Sequence, residues 1–561
     1  MSEDKEDVVN GEEEKETVSE ESTAKTPDEE KTEEATGEDS GKTVKVPGLF
    51  RNYISFAGAA IAAAALISIV LLFLIELSGS SDQPYLGILI YVLFPAVMIF
   101  GFLVILAGML WERRRRRKLT PEEIAAYPIF DFNHPRRRRA LLVFLVGSFI
   151  FLFLSAFGSY QAYEFSESVT FCGEVCHTVM RPEFVAYNAS SHARVRCVEC
   201  HVGGGAEWYV RSKFSGVRQL YRVLTDTYNK PIQTPVHNMR PANETCGKCH
   251  WPEKFYGDQL KVFNHYGFDE KNSLNQTRML VKVGGGDPTA GQATGIHWHM
   301  NLGNEITYIA SDEKRQNIQW VRMKGADGQV TEYTLKGLQF SSEQIEQASK
   351  RKMDCIDCHN RPTHVYLPPT RAIDDSLTAG RIDVSLPFVK LKGVEVLSKP
   401  YNTTEEALSG IAADLDNYYK TSHADIYTSK RDSINRAVLE IQRIYSTYFF
   451  PEMKTDWQAH INNIGHYNAQ GCFRCHDGQH FSPEGKTIRN ECNICHTTLD
   501  QKFGGQTFVP EDGQFRHPVN LGDRNTFQCA VCHKGNRAFQ HPVNLGDISK
   551  FQCAECHNKG F

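Results

Sequence analysis

The pentapeptide CVECH (197–201) recurs in outline six more times, as CGKCH (246–250), CIDCH (355–359), CFRCH (472–476), CNICH (492–496), CAVCH (529–533) and CAECH (553–557). A longer variant, CGEVCH (172–177), precedes them. Together these eight motifs use all 16 cysteines of the 561-residue chain, so none is left for a disulfide. The thiol pairs are Cys172/Cys176, Cys197/Cys200, Cys246/Cys249, Cys355/Cys358, Cys472/Cys475, Cys492/Cys495, Cys529/Cys532 and Cys553/Cys556, followed by His177, His201, His250, His359, His476, His496, His533 and His557. Haem chemistry requires this spacing: two thiols add across the two vinyl groups of the ring, and the adjacent imidazole turns under it to ligate iron. A lone CxxC also suits a zinc knuckle or a redox dithiol, but a His after every pair speaks against both. In CGEVCH the loop is one residue longer and must still span both vinyls. The expected cofactor is eight covalently attached haem c groups.

Of 21 histidines, eight sit in the motifs, and the rest are the pool from which distal iron ligands are drawn. His460, His480, His517 and His541 each stand twelve residues before the first Cys of the next motif. That repeated spacing marks them as distal ligands, with His466 as a competitor of His460. Two imidazoles on one iron leave no open position for a substrate, so such haems carry electrons. His265, His297 and His299 offer a candidate metal site, but they read more simply as polar residues of a small β module.

The charge is uneven. Residues 1–41 hold 17 acidic and 4 basic side chains, whereas the whole chain carries a net charge of -5. A segment so acidic, with no aromatic residue, reads as a disordered tail. Uncharged stretches at 52–75, 85–111 and 140–163 are each long enough to cross a hydrocarbon core of about 30 Å. RRRRRK (113–118) and RRRR (136–139) flank the loop between the second and third stretches. That loop should stay in the cytoplasm, and because both runs abut spans they do not read as a nucleic-acid patch. The tail is then cytoplasmic and every haem motif lies outside, the compartment of c-type haem attachment.

The expected fold is membrane-anchored and mainly α: three transmembrane helices plus an irregular multihaem c-type cytochrome domain with a small β insertion. Its parts would be a tail (1–41), the spans (42–163) with a basic loop (112–139), a first tetrahaem domain (164–370), a helical connector (371–450) and a second tetrahaem domain (451–561). The insertion, about 260–345, carries strand-like EITYIA (305–310), IQWVRM (318–323) and TEYTL (331–335), with a Gly-containing turn at 325–328. From Thr403, with Glu406 completing a capping box, to about Phe450 the pattern is helical. HPVNLGD at 517–523 returns at 541–547, each copy leading into FQCAxCH, a tandem repeat of 24 residues.

The stretches CHTVMRPEF, SSHARVRCVECH, RPANETCGKCHW and CIDCHNRPTH, within 172–364, resemble the NapC/NirT (NrfH/CymA-like) family of membrane-anchored quinol dehydrogenase cytochromes. Three spans and extra C-terminal haems are more similar to the larger inner-membrane members of metal-respiring bacteria. The resemblance implies that His192 ligates the fourth haem, that His364 ligates the second, and that Lys213, or His237 in its place, serves the third beside a quinol pocket. In the family's short form a Met lies two residues past the first motif His. Here Met180 lies three past His177, so either is open as the first axial ligand. The acid that the short form places seven residues beyond its Lys is absent, since Leu220 stands there.

The implied activity is oxidation of menaquinol at a bacterial inner membrane, with Lys213 and Met180 at the reacting site and electrons leaving through the haem chain to extracytoplasmic acceptors in anaerobic respiration. The partners would be the quinone pool, downstream periplasmic or outer-membrane multihaem cytochromes or reductases, and membrane lipid, with homo- and hetero-oligomers both compatible. A passive electron-relay subunit is the alternative. A terminal multihaem reductase fits less well, because no CxxCK motif for a five-coordinate haem occurs.

Overall fold

The computed structural model describes residues 48–77, 93–119, 135–175, 177–203, 205–236, 239–251, 254–285, 295–301 and 303–517. The acidic tail, Cys176, His237, His541 and the seventh and eighth haem motifs (Cys529, Cys532, His533, Cys553, Cys556, His557) lie outside the described residues.

The chain divides into two compact units. One contains helix α1 (Tyr53–Leu77) as far as Ser68, and helix α2 (Phe94–Arg116). Asn52 caps α1, its Oδ1 accepting from Ser55 N at 2.7 Å. The two helices touch through small residues. A Cβ on Gly58 would come within 2.6 Å of Gly101 O, one on Gly101 within 2.8 Å of Ala62 N, and one on Gly108 within 2.5 Å of Ser55 Oγ. Such close backbone approach is how apolar helices associate when no hydrophobic gain separates helix from lipid. Both helices are long and apolar enough to cross a membrane.

The second unit contains everything from residue 132 onward. Helix α3 (Pro135–Ser166) opens on Pro and four arginines and exposes Leu142, Phe144, Phe149, Ile150 and Leu154. A π-helical turn at Phe171–Val175 follows, then α4 (His177–Asn188), α5 (Cys197–His201) and the amphipathic α6 (Ala206–Leu224). The π turn absorbs the extra residue of CGEVCH, because one residue added to a helical turn widens it to an i→i+5 loop. Gly173 is required in that turn, since a Cβ there would meet the Phe184 ring at 2.3 Å.

Two antiparallel sheets come next. Strands β1 (Gln259–Tyr266), β2 (Leu274–Val281), β8 (His496–Phe503) and β9 (Gln506–Phe508) form one, in that order. The other runs β6 (Arg351–Lys352), β3 (Glu305–Ala310), β4 (Ile318–Lys324), β5 (Val330–Leu335), β7 (His480–Phe481). The β structure is therefore larger than one insertion, because segments of the C-terminal haem region supply β7, β8 and β9. Val281 pairs with His496 and Leu335 with His480, so sequence on either side of the connector is joined by main-chain ladders.

Helices α7 (Cys355–Cys358), α8 (Pro369–Thr378), α9 (Val389–Leu397), α10 (Thr404–Ser422), α11 (Ala424–Ser429) and α12 (Arg431–Tyr448) complete the unit. The helical pattern from 403 to 450 is thus three helices, broken at His423 and Lys430. Thr403 caps α10, accepting from Glu406 N at 3.1 Å, while Glu406 accepts from Asn402 N at 2.8 Å, one residue earlier than a capping box would place it. Apolar residues three and four apart (Ala407, Ile411, Leu415 and Tyr419 on α10; Ile434, Ala437, Ile441 and Ile444 on α12) meet Ile373 and Val394 in the main core. A buried Lys390–Asp374 ion pair ties α9 to α8, and Asp374 also accepts from Tyr266 N at 3.0 Å, fastening β1 to the same core.

Candidate haem centre

The second to sixth motifs each fold as a short helical turn, which ends at the His in the second, at the second Cys in the fourth, and one residue before the second Cys in the third, fifth and sixth. Asp354 caps the Cys355–Cys358 turn, and Asp357 behind it is fully buried, accepting from Tyr308 Oη at 2.6 Å and Arg351 Nε at 2.7 Å. The next His is thereby aimed by a rigid support.

Five motif histidines each face a second imidazole. The ring-centre distances are 6.3 Å for His201 and His364, 6.1 Å for His250 and His192, 6.4 Å for His359 and His297, 5.8 Å for His476 and His299, and 6.2 Å for His496 and His466. A metal–imidazole bond of about 2 Å on each side, plus the half-width of two rings, puts the centres of two rings sharing one metal at about 6 Å. Nδ1 is tied to a backbone carbonyl in several of them: His364 to Glu183 O at 3.0 Å, His476 to Arg489 O at 2.5 Å, His297 to Val283 O at 2.6 Å and His299 to Ile296 O at 2.9 Å. Such a bond fixes the tautomer and leaves Nε2 as the ligating atom. Burial pushes His299, His364 and His496 down to about 4, keeping them as the neutral imidazoles that metals bind.

The residues fit haem. The buried Nδ1 atoms of His466 and His496 and Nη2 of Arg361 have no partner within the protein. Arg361, two residues past His359, suits a carboxylate such as the haem propionates carry. The motifs also follow one another in space. Cys172 lies near Cys197 and Cys246 near Cys355, and Cys200 is within electrostatic range of Cys249, as Cys472 is of Cys358 and of Cys495.

Three sequence readings change. His192 lies against His250 of the third motif, whereas the resemblance assigned it to the fourth haem; the fourth motif's His359 meets His297 instead. His480 is fully buried with both nitrogens engaged, Nδ1 to Asp477 Oδ1 at 2.9 Å and Nε2 to Ile318 O at 3.2 Å, so the twelve-residue spacing does not free it for iron. Lys213 stands beside Cys172 and not beside His250. Its Nζ donates to Glu167 Oε1 at 2.6 Å, lies 3.4 Å from Ser166 Oγ and sits 4.6 Å from the centre of the Tyr209 ring. Of the other spaced histidines, His460 packs on Tyr366 at 5.7 Å with Nδ1 3.3 Å from Thr234 Oγ1 and a buried, unpartnered Nε2, and His517 lies 6.4 Å from Phe515. Met180 is half-buried in the first turn of α4.

Sequence reasoning set His297 and His299 aside as polar residues and missed Glu167. The alternation His-Trp-His at 297–299 between glycines was a visible signal for the first two. Glu167, whose side chain is 3% exposed, follows the last residue of α3 and supplies a carboxylate beside Lys213 that Leu220, 55% exposed, does not.

Repeated thiol pairs with paired imidazoles define a c-type cytochrome, an electron-transfer protein with covalently bound haem. The chain belongs to the NapC/NirT cytochrome c family, which is membrane-anchored and linked to quinol oxidation: residues 134–254 match the family's N-terminal region. It is 45% identical over 493 residues to the cytochrome c-type protein ImcH of Geobacter sulfurreducens, a match that covers 87% of this chain and 96% of that protein. No solved structure matches the chain.

Proposed function

We propose that this protein oxidises menaquinol at the outer face of a bacterial inner membrane and passes the electrons through eight covalent haems to periplasmic or outer-membrane acceptors. The anchor is three spans, α3 being the third, with the basic loop cytoplasmic. Bound haem supplies one-electron acceptance and transfer, and each of the 16 cysteines contributes a thioether. The motif histidines are proximal ligands, and His364, His192 and His466 are distal ligands of the second, third and sixth haems.

The observation that carries the reading is the Lys213–Glu167 pair at the outer end of α3, in electrostatic contact with Cys172. Tyr163 and Tyr209, with ring centres 6.3 Å apart, and Tyr160 make this end aromatic, as the interface where a quinol headgroup travels requires. Lys213 Nζ orients a quinol oxygen by donating to it. Glu167 receives the two hydroxyl protons one after the other at its carboxylate and releases each outward, so that two protons leave as two electrons enter the chain one at a time. Met180, on the helix that follows the first motif, bears on the same haem.

Proteoliposomes charged with a menaquinol analogue test this. Met180→Leu should load haem normally yet be reduced slowly by the quinol, while a small soluble reductant still reduces the C-terminal haems. Normal quinol-driven reduction in Met180→Leu and in Lys213→Leu would move the quinone site elsewhere and favour a passive relay.

A further inference from the structure

The His-Trp-His turn lies between strands of the two sheets, and nothing in the family resemblance gives it a role. We propose that this one turn, Ile296–Met300, supplies the distal ligand to two successive haems: His297 to the iron held by His359 and His299 to the iron held by His476. The inference rests on the reading of the fourth and fifth motifs as haem sites.

The turn is held tightly enough for the task. Ile296 N donates to Lys282 O at 2.8 Å and His297 N to Gly284 O at 3.1 Å, fixing it to the chain leaving β2. Both contacts need glycine. Gly285 has φ +101°, and a Cβ there would lie 2.7 Å from Trp298 N; Gly295 has φ +140°, and a Cβ there would lie 2.4 Å from Gly284 O. Beyond the turn, Asn304 Nδ2 donates to Trp298 O at 2.9 Å.

With the backbone fixed, the two imidazoles project toward different motifs. His297 packs on Phe255, ring centres 4.3 Å apart, and lies parallel to His359 within 2° at 6.4 Å. His299 meets His476 at 5.8 Å with the planes at 89°. Each spends its Nδ1 on a backbone carbonyl, Val283 O and Ile296 O, which leaves Nε2 for iron. The same test rejects His480, four residues past the fifth motif, since neither of its nitrogens is free.

The consequence is a clamp. The fourth motif belongs to the N-terminal group and the fifth to the C-terminal group, 113 residues on from His359 at Cys472. Two ligands separated by a single Trp hold those two irons as neighbours, in keeping with Cys358 and Cys472 lying within electrostatic range of each other. The N-terminal and C-terminal groups of motifs therefore meet at this turn.

The test uses the full-length protein in detergent, with intact mass and near-infrared magnetic circular dichroism read on the same sample. His297→Ala and His299→Ala should each keep the wild-type haem mass while one iron passes from low-spin bis-imidazole to high-spin, and added imidazole should restore the low-spin signal. His297→Met and His299→Met cover a failure of the alanine variants to load, each converting one iron to imidazole–thioether ligation. An unchanged bis-imidazole count at full haem mass in the Ala or Met variants would overturn the clamp while leaving the haem reading intact. Peptides 355–359 or 472–476 without haem in the wild type would overturn the underlying reading itself.

Discussion

Replacing Lys213 by Leu removes the ion-pair partner of Glu167 while keeping an apolar stem of similar length. At the observed 2.6 Å the Coulomb attraction is about 6 kcal/mol at an effective dielectric of 20 and under 2 kcal/mol in water. Glu167 is 3% exposed but Lys213 is 41% exposed, so water reaches one partner and the net coupling falls to about 1–2 kcal/mol. If that coupling holds the ammonium where a quinol oxygen docks, losing it slows quinol-driven reduction about 5- to 30-fold, since each 1.4 kcal/mol is a factor of about ten. The assay is a double-mutant cycle of Lys213→Leu, Glu167→Gln and their combination, read both as thermal stability in detergent and as the initial rate of reduction by a menaquinol analogue, with a soluble reductant as control. Glu167→Gln should slow the quinol reaction too and flatten its pH dependence. A coupling near zero, with quinol rates unchanged in all three variants, would show the pair to be an ordinary surface contact and refute the reasoning.

Intact mass spectrometry should find about 5 kDa above the 63.5 kDa chain, the mass of eight haems joined by thioethers; a value fitting seven would mean that CGEVCH does not attach haem. His364→Ala should turn one iron high-spin, whereas His480→Ala should leave the low-spin spectrum intact and instead cost about 1–3 kcal/mol of stability, the price of leaving Asp477 and Ile318 O without their buried partner. Burial alone would raise Glu440, but hydrogen bonds from Arg443, Ser376 and Arg381 bring it down to about 2. Its contribution is therefore complete above its ordinary value and is lost as pH falls from about 4.5 to 2; with both arginines about half exposed it amounts to about 1 kcal/mol, so Glu440→Gln should lower stability at pH 7 by that much and flatten the acid limb of the unfolding profile.

The parts of the molecule that were legible in the sequence are those specified by near neighbours. EITYIA, IQWVRM and TEYTL lie at β3, β4 and β5 to within a residue, because alternation and a turn closed by Gly325 N donating to Gln329 O at 2.9 Å are local signals. Thr403 and Glu406 mark the start of α10 for the same reason. His496–Phe503 carried no such signal: it is a strand because β2, more than 200 residues earlier, offers it an edge. Distal ligands are long-range by nature, since a ligand must meet an iron, not a sequence neighbour. Regular spacing therefore selected His480, which the fold consumes in hydrogen bonds, and passed over His297 and His299. The Lys213 environment was missed in the same way, because its acid comes from the end of another helix and not from the helix turn where the short family pattern carries one.

The position of β8 has a consequence for how the protein is made. Its first residue is the histidine of the sixth motif, and it pairs with β2 across the span of the connector. The first sheet therefore cannot be completed until the chain has been synthesised past residue 508. Contacts of such long sequence separation form late. Until then the β1–β2 hairpin keeps an open edge, and the sixth motif, which leads directly into β8, is not yet fixed by the ladder.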